Sequence, residues 1–166
     1  MTTTTKTVIF GNSGSGKSTL AKRLSKTSDV GHLDLDTIAW LASTPPERMP
    51  LEQSIEYIQD FLKENENWVI EGCYSDLIEL VLPHSSKVIF LNLPLEVCIQ
   101  NAKSRPWEPH KYSSKQAQEA NLEMLIDWIK QYETRTDTFS QKAHQALFEK
   151  FVGAKIMYTA NERLVP

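Results

Sequence analysis

The run Gly11-Asn12-Ser13-Gly14-Ser15-Gly16-Lys17-Ser18-Thr19 constrains the fold more than any other stretch of the chain. It satisfies G-x-x-x-x-G-K-[ST] at every specified position. The β-branched run 7–10 (TVIF) precedes it, and a segment with Leu20, Ala21 and Leu24 at helical spacing follows. Strand, glycine-rich loop and helix in that order make a phosphate cradle. Glycines let several backbone N–H groups converge on phosphate oxygens, and the helix N-terminus adds the positive end of its dipole. Lys17 can reach the β- and γ-phosphates of a nucleotide, and the Ser18 hydroxyl can ligate Mg²⁺. The plainer alternative is a Gly/Ser turn that only caps a helix. The full motif with both flanks in place weighs against it.

Further short apolar runs, 31–35, 68–72, 87–93 and 155–159, read as strands. They lack clean alternation, which suits strands covered on both faces of a parallel sheet. Helical patterns lie between them: 17 to about 26, 51 to about 64, one opening at Pro94, and one carrying Leu122, Leu125, Ile126, Ile129 and Tyr132 behind a Ser113/Gln116 capping box. A last helix carries Phe139, Ala143, Ala146, Leu147 and Phe151. Alternating strands and helices predict a doubly wound α/β domain over 1–166, which binds ligands at the carboxyl ends of its strands.

The net charge of -3 argues against a general nucleic-acid binder. No apolar run reaches the ~20 residues that span a bilayer. The opening MTTTTK has neither the apolar core nor the cleavage site of a signal peptide. Cys73 and Cys98 show no metal or redox spacing, and the four histidines make no ligand pattern. The expectation is a cytoplasmic, reduced protein without membrane or direct nucleic-acid partners.

The strand ends supply the remaining candidates. Asp34 and Asp36, two apart where the second strand ends, face the same way if the segment stays extended. One can hold Mg²⁺ through water, and the other can orient or deprotonate an acceptor hydroxyl. After the third strand come Glu71, Gly72 and Tyr74: Gly72 allows a ligand close, and Glu71 can meet the acceptor or a metal-bound water. After the fourth, Arg105 ends a helix before a Pro-bounded loop that includes Lys111. Arg105, Lys111 and Arg135 are candidate cations for a phosphoryl group in transfer, although basic residues at helix C-termini also complement the dipole. Arg48 can pair with an acceptor phosphate or carboxylate, or stay a solvated surface residue.

Together the P-loop, "DLD" after strand two, "WVIEGCY" after strand three and "VIFLNLPLEVC" in strand four resemble the small P-loop kinases, such as shikimate, gluconate and adenylate kinases. The likeness is greatest to the uncharacterised branch labelled adenylate kinase-like or DNA topology modulation proteins. The resemblance implies a three-layer fold with a five-stranded parallel sheet ordered 2-3-1-4-5. It also implies an acceptor-binding insert at about 38–65, a short lid at about 105–113, and ATP with Mg²⁺. Lys17, Asp36 and Arg105 would be catalytic. The nucleotide would meet Gly11 to Thr19, Arg105 and Arg135, and the metal would meet Ser18 and Asp34. The acceptor would meet Asp34, Asp36, Arg48, Glu71, Gly72 and Tyr74. Two features depart from the pattern: relatives read "IDGNY" where this chain has "IEGCY", and the position four before Arg105, often an arginine on the adenine, is Asn101.

Three functions compete. A small-molecule kinase would phosphorylate a nucleotide, nucleoside or small hydroxyl metabolite. A nucleotide-binding regulator would act through a partner. A simple ATP hydrolase would want an apolar strand ending in Asp-Glu, which the sequence lacks.

Overall fold

In the computed structural model, which describes residues 4–26, 29–43 and 45–161, the phosphate loop sits on the middle strand of a sheet. The strands are β1 (Lys6–Gly11), β2 (Val30–Asp34), β3 (Asn67–Gly72), β4 (Lys87–Leu91) and β5 (Ala154–Tyr158). All pair in parallel, in the order β2-β3-β1-β4-β5. The helices are α1 (Lys17–Leu24), α2 (Leu51–Glu64), α3 (Ser75–Val81), α4 (Leu95–Lys103), α5 (Lys115–Ala120), α6 (Leu122–Lys130) and α7 (Gln141–Lys150). A two-stranded ribbon, Trp40–Leu41 against Glu47–Arg48, leads into α2.

Alternation along each strand sends side chains to two separate cores. Val8 and Phe10 join Trp68, Ile70, Val88 and Phe90 under α2, α3 and α7, while Ile9, Val69, Ile89 and Leu91 join Leu20 and Ala21 of α1. Nine of these twelve strand and α1 side chains have no exposed surface, and Trp68, Ile89 and Leu20 expose 1%. Each large one contributes about 1.5–3 kcal/mol on burial, so the central strands are apolar on both faces over most of their length. A third cluster, Leu93, Cys98, Ala102 and Ile129, docks α4 on α6.

Several local expectations shift. The cap before α5 is Ser114, whose hydroxyl accepts from the Ala117 N–H, not Ser113. The helix expected behind it is two helices that meet at Asn121. Pro94 precedes α4 instead of opening it, and α7 starts beyond Phe139 and stops short of Phe151. The sequence reading did not include α3 at all. Its Leu77, Ile78 and Val81 are fully buried, but seven residues present too few turns for a periodicity to stand out. No helix among the described residues is long and apolar enough to cross a membrane.

Candidate active site

The loop between β1 and α1 holds its shape through left-handed glycines and side-chain struts. Gly14 and Gly16 have φ of 76° and 87°, a region other residues seldom adopt. A Cβ on Gly14 would lie 2.4 Å from the carbonyl oxygen of Cys98, and one on Gly11 2.5 Å from that of Leu91. The buried Asn12 donates its Nδ2 to the Ile129 carbonyl at 3.2 Å, and Ser15 is buried beside it. Lys17 curls back so that Nζ donates to the Asn12 carbonyl at 2.8 Å. No side chain caps the N-terminus of α1, and no acidic residue lies in its first turn, so its N–H groups and dipole face the loop.

Above the loop opens a cavity of about 420 Å³. Its walls bring together Ser13, Gly14, Gly16, Lys17, Ser18 and Thr19 from the loop and α1, Asp36 after β2, and Glu71 and Gly72 from β3. Arg105, Glu108 and Lys111 close it from the segment after α4. Six residues that sequence reasoning passed over as ligand contacts, Lys22, Cys73, Ser104, Pro106, Glu108 and Asn161, also line it. Glu108 had a readable signal in its i,i+3 spacing from Lys111.

The carboxylates after β2 converge by a different route from the extended one. Leu35–Thr37 is a 3₁₀ turn capped by Asp34, whose Oδ1 accepts from the Asp36 N–H at 3.0 Å. Both carboxylates still reach one cation: Lys111 Nζ lies 2.8 Å from Asp36 Oδ2, 3.5 Å from Asp34 Oδ2 and 3.5 Å from Glu108 Oε2. The Tyr74 hydroxyl donates to Asp36 Oδ1 and accepts from Trp40 Nε1 at 2.8 Å. Burial alone pushes the Asp36 carboxyl up, but Lys111, Tyr74 and the more distant Lys17 together bring it below its ordinary value. Asp34 goes the other way: burial, Glu71 and Asp36 raise it more than Lys111 lowers it. Lys111, despite burial, is held protonated by Asp36 and Asp34.

Ser18, expected beside Asp34 at the metal, bonds to another carboxylate. Ser18 Oγ donates to Glu71 Oε2 at 2.7 Å, and His32 Nε2 lies 3.1 Å from the same oxygen. Glu71 is only 2% exposed, at the end of a fully buried strand run. Gly72 packs so tightly that a Cβ there would lie 2.9 Å from the Leu35 side chain.

Seven predicted contacts do not line the cavity: Gly11, Asn12 and Ser15 of the loop, and Asp34, Tyr74, Arg48 and Arg135. The two arginines are engaged elsewhere. Arg48 NH2 pairs with Asp76 Oδ2 at 3.1 Å, and its guanidinium sits 5.1 Å from the Tyr74 ring and 5.7 Å from that of Phe139. Arg135 pairs through two nitrogens with Asp137, at 2.8 Å and 2.6 Å, and stacks 3.6 Å over Trp128. Both guanidiniums are already matched by a carboxylate and an aromatic face. Arg105 does reach the cavity wall, where Nε pairs with Glu108 at 3.2 Å. Asn101 donates to the Gly14 carbonyl at 2.8 Å and pairs amide to amide with Asn161, so it braces the loop.

The arrangement fits a magnesium nucleotide. Gly11 and Gly14 leave no room for side chains, the α1 N-terminus is uncapped, and among the described residues Lys17 is bonded only to a loop carbonyl. Among the described residues no group of three or more His, Cys, Asp or Glu stands as a ready-made metal cage. Mg²⁺ at such loops takes one or two protein oxygens and completes its shell with phosphates and water. Ser18 with Glu71 is that kind of donor pair.

Comparison with known proteins agrees with the geometry. Residues 8–123 match the family model described as an AAA domain. The uncharacterized protein YqaC of Bacillus subtilis (strain 168) is 28% identical over 100 residues, which are 60% of this chain, and the match spans 56% of YqaC, little more than half its length. The crystal structure of TT1252 from Thermus thermophilus superposes with a TM-score of 0.52 at 13% identity, over 96% of this chain and 91% of that one. An unliganded sugar kinase from Janibacter sp. HTCC2649 superposes with a TM-score of 0.50 at 14% identity, over 97% and 88%. At such identities the two structures speak for the fold alone. The chain therefore belongs to the AAA domain family, as a nucleotide-binding P-loop protein with the fold of the small P-loop kinases.

Proposed function

We propose that this protein is an ATP- and Mg²⁺-dependent phosphotransferase that moves the γ-phosphoryl group of ATP to a hydroxyl of a small molecule. The nucleotide, nucleoside and small hydroxyl metabolite classes all remain in view as acceptors. One observation carries the reading: Asp36 lines the same cavity as Lys17 and Ser18, together with the cations Arg105 and Lys111. A protein that only held a nucleotide would need the loop but not a carboxylate opposite it.

Bound MgATP supplies an electrophilic γ-phosphorus. Loop N–H groups, the α1 N-terminus and Lys17 hold the phosphates, and Ser18 with Glu71 holds the cation. Asp36 orients the acceptor hydroxyl and takes its proton as the new P–O bond forms and the bond to the β-phosphate oxygen breaks. Arg105 and Lys111 balance the charge on the transferring group. The work is positioning and electrostatics more than covalent chemistry. The buried wall around Gly72 and Leu35, closed by the 105–113 segment, keeps water from competing.

The reading needs a soluble small-molecule partner and neither nucleic acid nor membrane. A metabolite pool incubated with the protein, ATP and Mg²⁺ and read by mass spectrometry tests it. The expected result is a phosphorylated acceptor formed in step with ADP. ADP release with no phosphorylated acceptor would replace the kinase reading with a hydrolase.

A further inference from the structure

His144, on α7, has no exposed surface and no place in the chemistry above. Its two ring nitrogens are both engaged. Nε2 lies 2.8 Å from the Cys73 carbonyl oxygen and Nδ1 2.7 Å from the Tyr132 hydroxyl. A carbonyl can only accept, so the ring is the Nε2–H tautomer and Tyr132 donates to Nδ1. The rings of Phe10, Phe90 and Tyr132 surround it, with centroids 5.8, 6.0 and 5.4 Å away.

The carbonyl it holds lies in the turn from β3 to α3. Gly72 and Cys73 of that turn line the cavity, and Tyr74, the next residue, places its hydroxyl on Asp36. Tyr132 follows the end of α6, and the Ile129 carbonyl of α6 receives the Asn12 side chain of the phosphate loop. One buried imidazole thus joins the segment that anchors the loop to the turn on the opposite wall.

We propose that His144 is a positioning residue that clamps the Gly72–Cys73–Tyr74 turn and so sets where Tyr74 presents Asp36 to the acceptor. The functional half of this rests on reading that turn as the acceptor wall. The bracing half stands on the two hydrogen bonds and can be tested without knowing the acceptor.

The two cysteines are built-in reporters. Cys73 lies in the clamped turn, half-buried on the cavity wall, and Cys98 is buried on another element, α4. Alkylation of a covered or partly covered thiol speeds up with the fraction of time its surroundings open. In the full-length protein, iodoacetamide labelling of each cysteine is followed by peptide mass spectrometry. His144→Leu removes both hydrogen bonds but keeps an apolar side chain, and Cys73 should then react about tenfold faster or more, with Cys98 unchanged. His144→Gln, whose amide can donate to Cys73 and accept from Tyr132, should stay within about twofold of wild type. If the leucine variant does not fold, Tyr132→Phe carries the same test: it strips only the hydroxyl on Nδ1, and Cys73 alone should accelerate.

An unchanged Cys73 rate overturns the clamp. So does equal acceleration of both cysteines, which means general loosening, or a glutamine variant as reactive as the leucine one, which means packing alone. A protein that passes the labelling test but transfers no phosphoryl group in the metabolite screen keeps the clamp and loses the acceptor reading.

Discussion

Lys17 Nζ donates to the carbonyl of Asn12, five residues earlier in its own loop, at 2.8 Å. The ammonium is thus held over the cradle by a neutral partner that a phosphate oxygen outcompetes. Lys17→Ala is expected to lower ATP turnover by about 10²–10³. ADP formation at saturating Mg²⁺ measures it, and turnover equal to wild type would remove the phosphate-loop assignment.

Asp36 is expected to matter for the acceptor and little for the nucleotide. Asp36→Asn keeps an oxygen for Tyr74 but cannot take a proton. Transfer should fall by about 10²–10⁴ with ATP affinity nearly unchanged. Calorimetric ATP binding beside product formation separates the two, and a parallel loss of both would refute the acceptor role.

Glu71 should set the magnesium requirement. It shares an oxygen with Ser18 and His32, so Glu71→Gln keeps the hydrogen bonds but loses the charge. The Mg²⁺ concentration for half-maximal activity should rise by about 10–100-fold. A magnesium titration at fixed ATP that overlays wild type would return the cation to Asp34.

Lys111 should govern the acid side of the pH profile. It is the leading partner that holds Asp36 below its ordinary value against burial. Lys111→Met removes that partner and leaves the burial, so Asp36 protonates at higher pH. The acid limb of kcat/KM should move upward, and a limb that stays in place means that Asp36 is not the titrating base.

His144 predicts an acid-labile fold. Burial lowers its pKa from 6.5 to about 4 despite the bond to Cys73. Above pH 6.5 the ring is neutral in both the folded and the unfolded chain and costs nothing. As pH falls through 6.5 the unfolded chain gains a proton that the folded one refuses, until about pH 4. Stability should drop by about 3 kcal/mol across that window. Urea midpoints at several pH values should show the drop in wild type and a flatter response in His144→Gln.

What the chain disclosed about itself follows the range of its interactions. The P-loop and the parallel strands are local patterns, and they stand where the residues placed them. Asp34 and Asp36 reach one cation, but through a 3₁₀ turn that no alternation rule foresees. Arg48 and Arg135 look like free cations in a linear reading. Asp76 and the Tyr74 ring claim the first, and Asp137 and the Trp128 ring the second. The bond from Ser18 to Glu71 joins the first turn of α1 to the end of β3, and the one from His144 to Cys73 joins α7 to the turn after β3. Neither partner carries a local signature of the other.

The strand order also bears on how the molecule comes into being. Val8, just before the loop, pairs with Ile70 on one side and Val88 on the other. The first strand therefore waits for both neighbours, and the chain must close long loops before any of those contacts repay the lost entropy. A ribosome has to release the fourth strand before the phosphate cradle can have walls. Nucleotide can then act on the nascent chain only as a late ligand, one that stabilises a nearly finished sheet and cannot seed it.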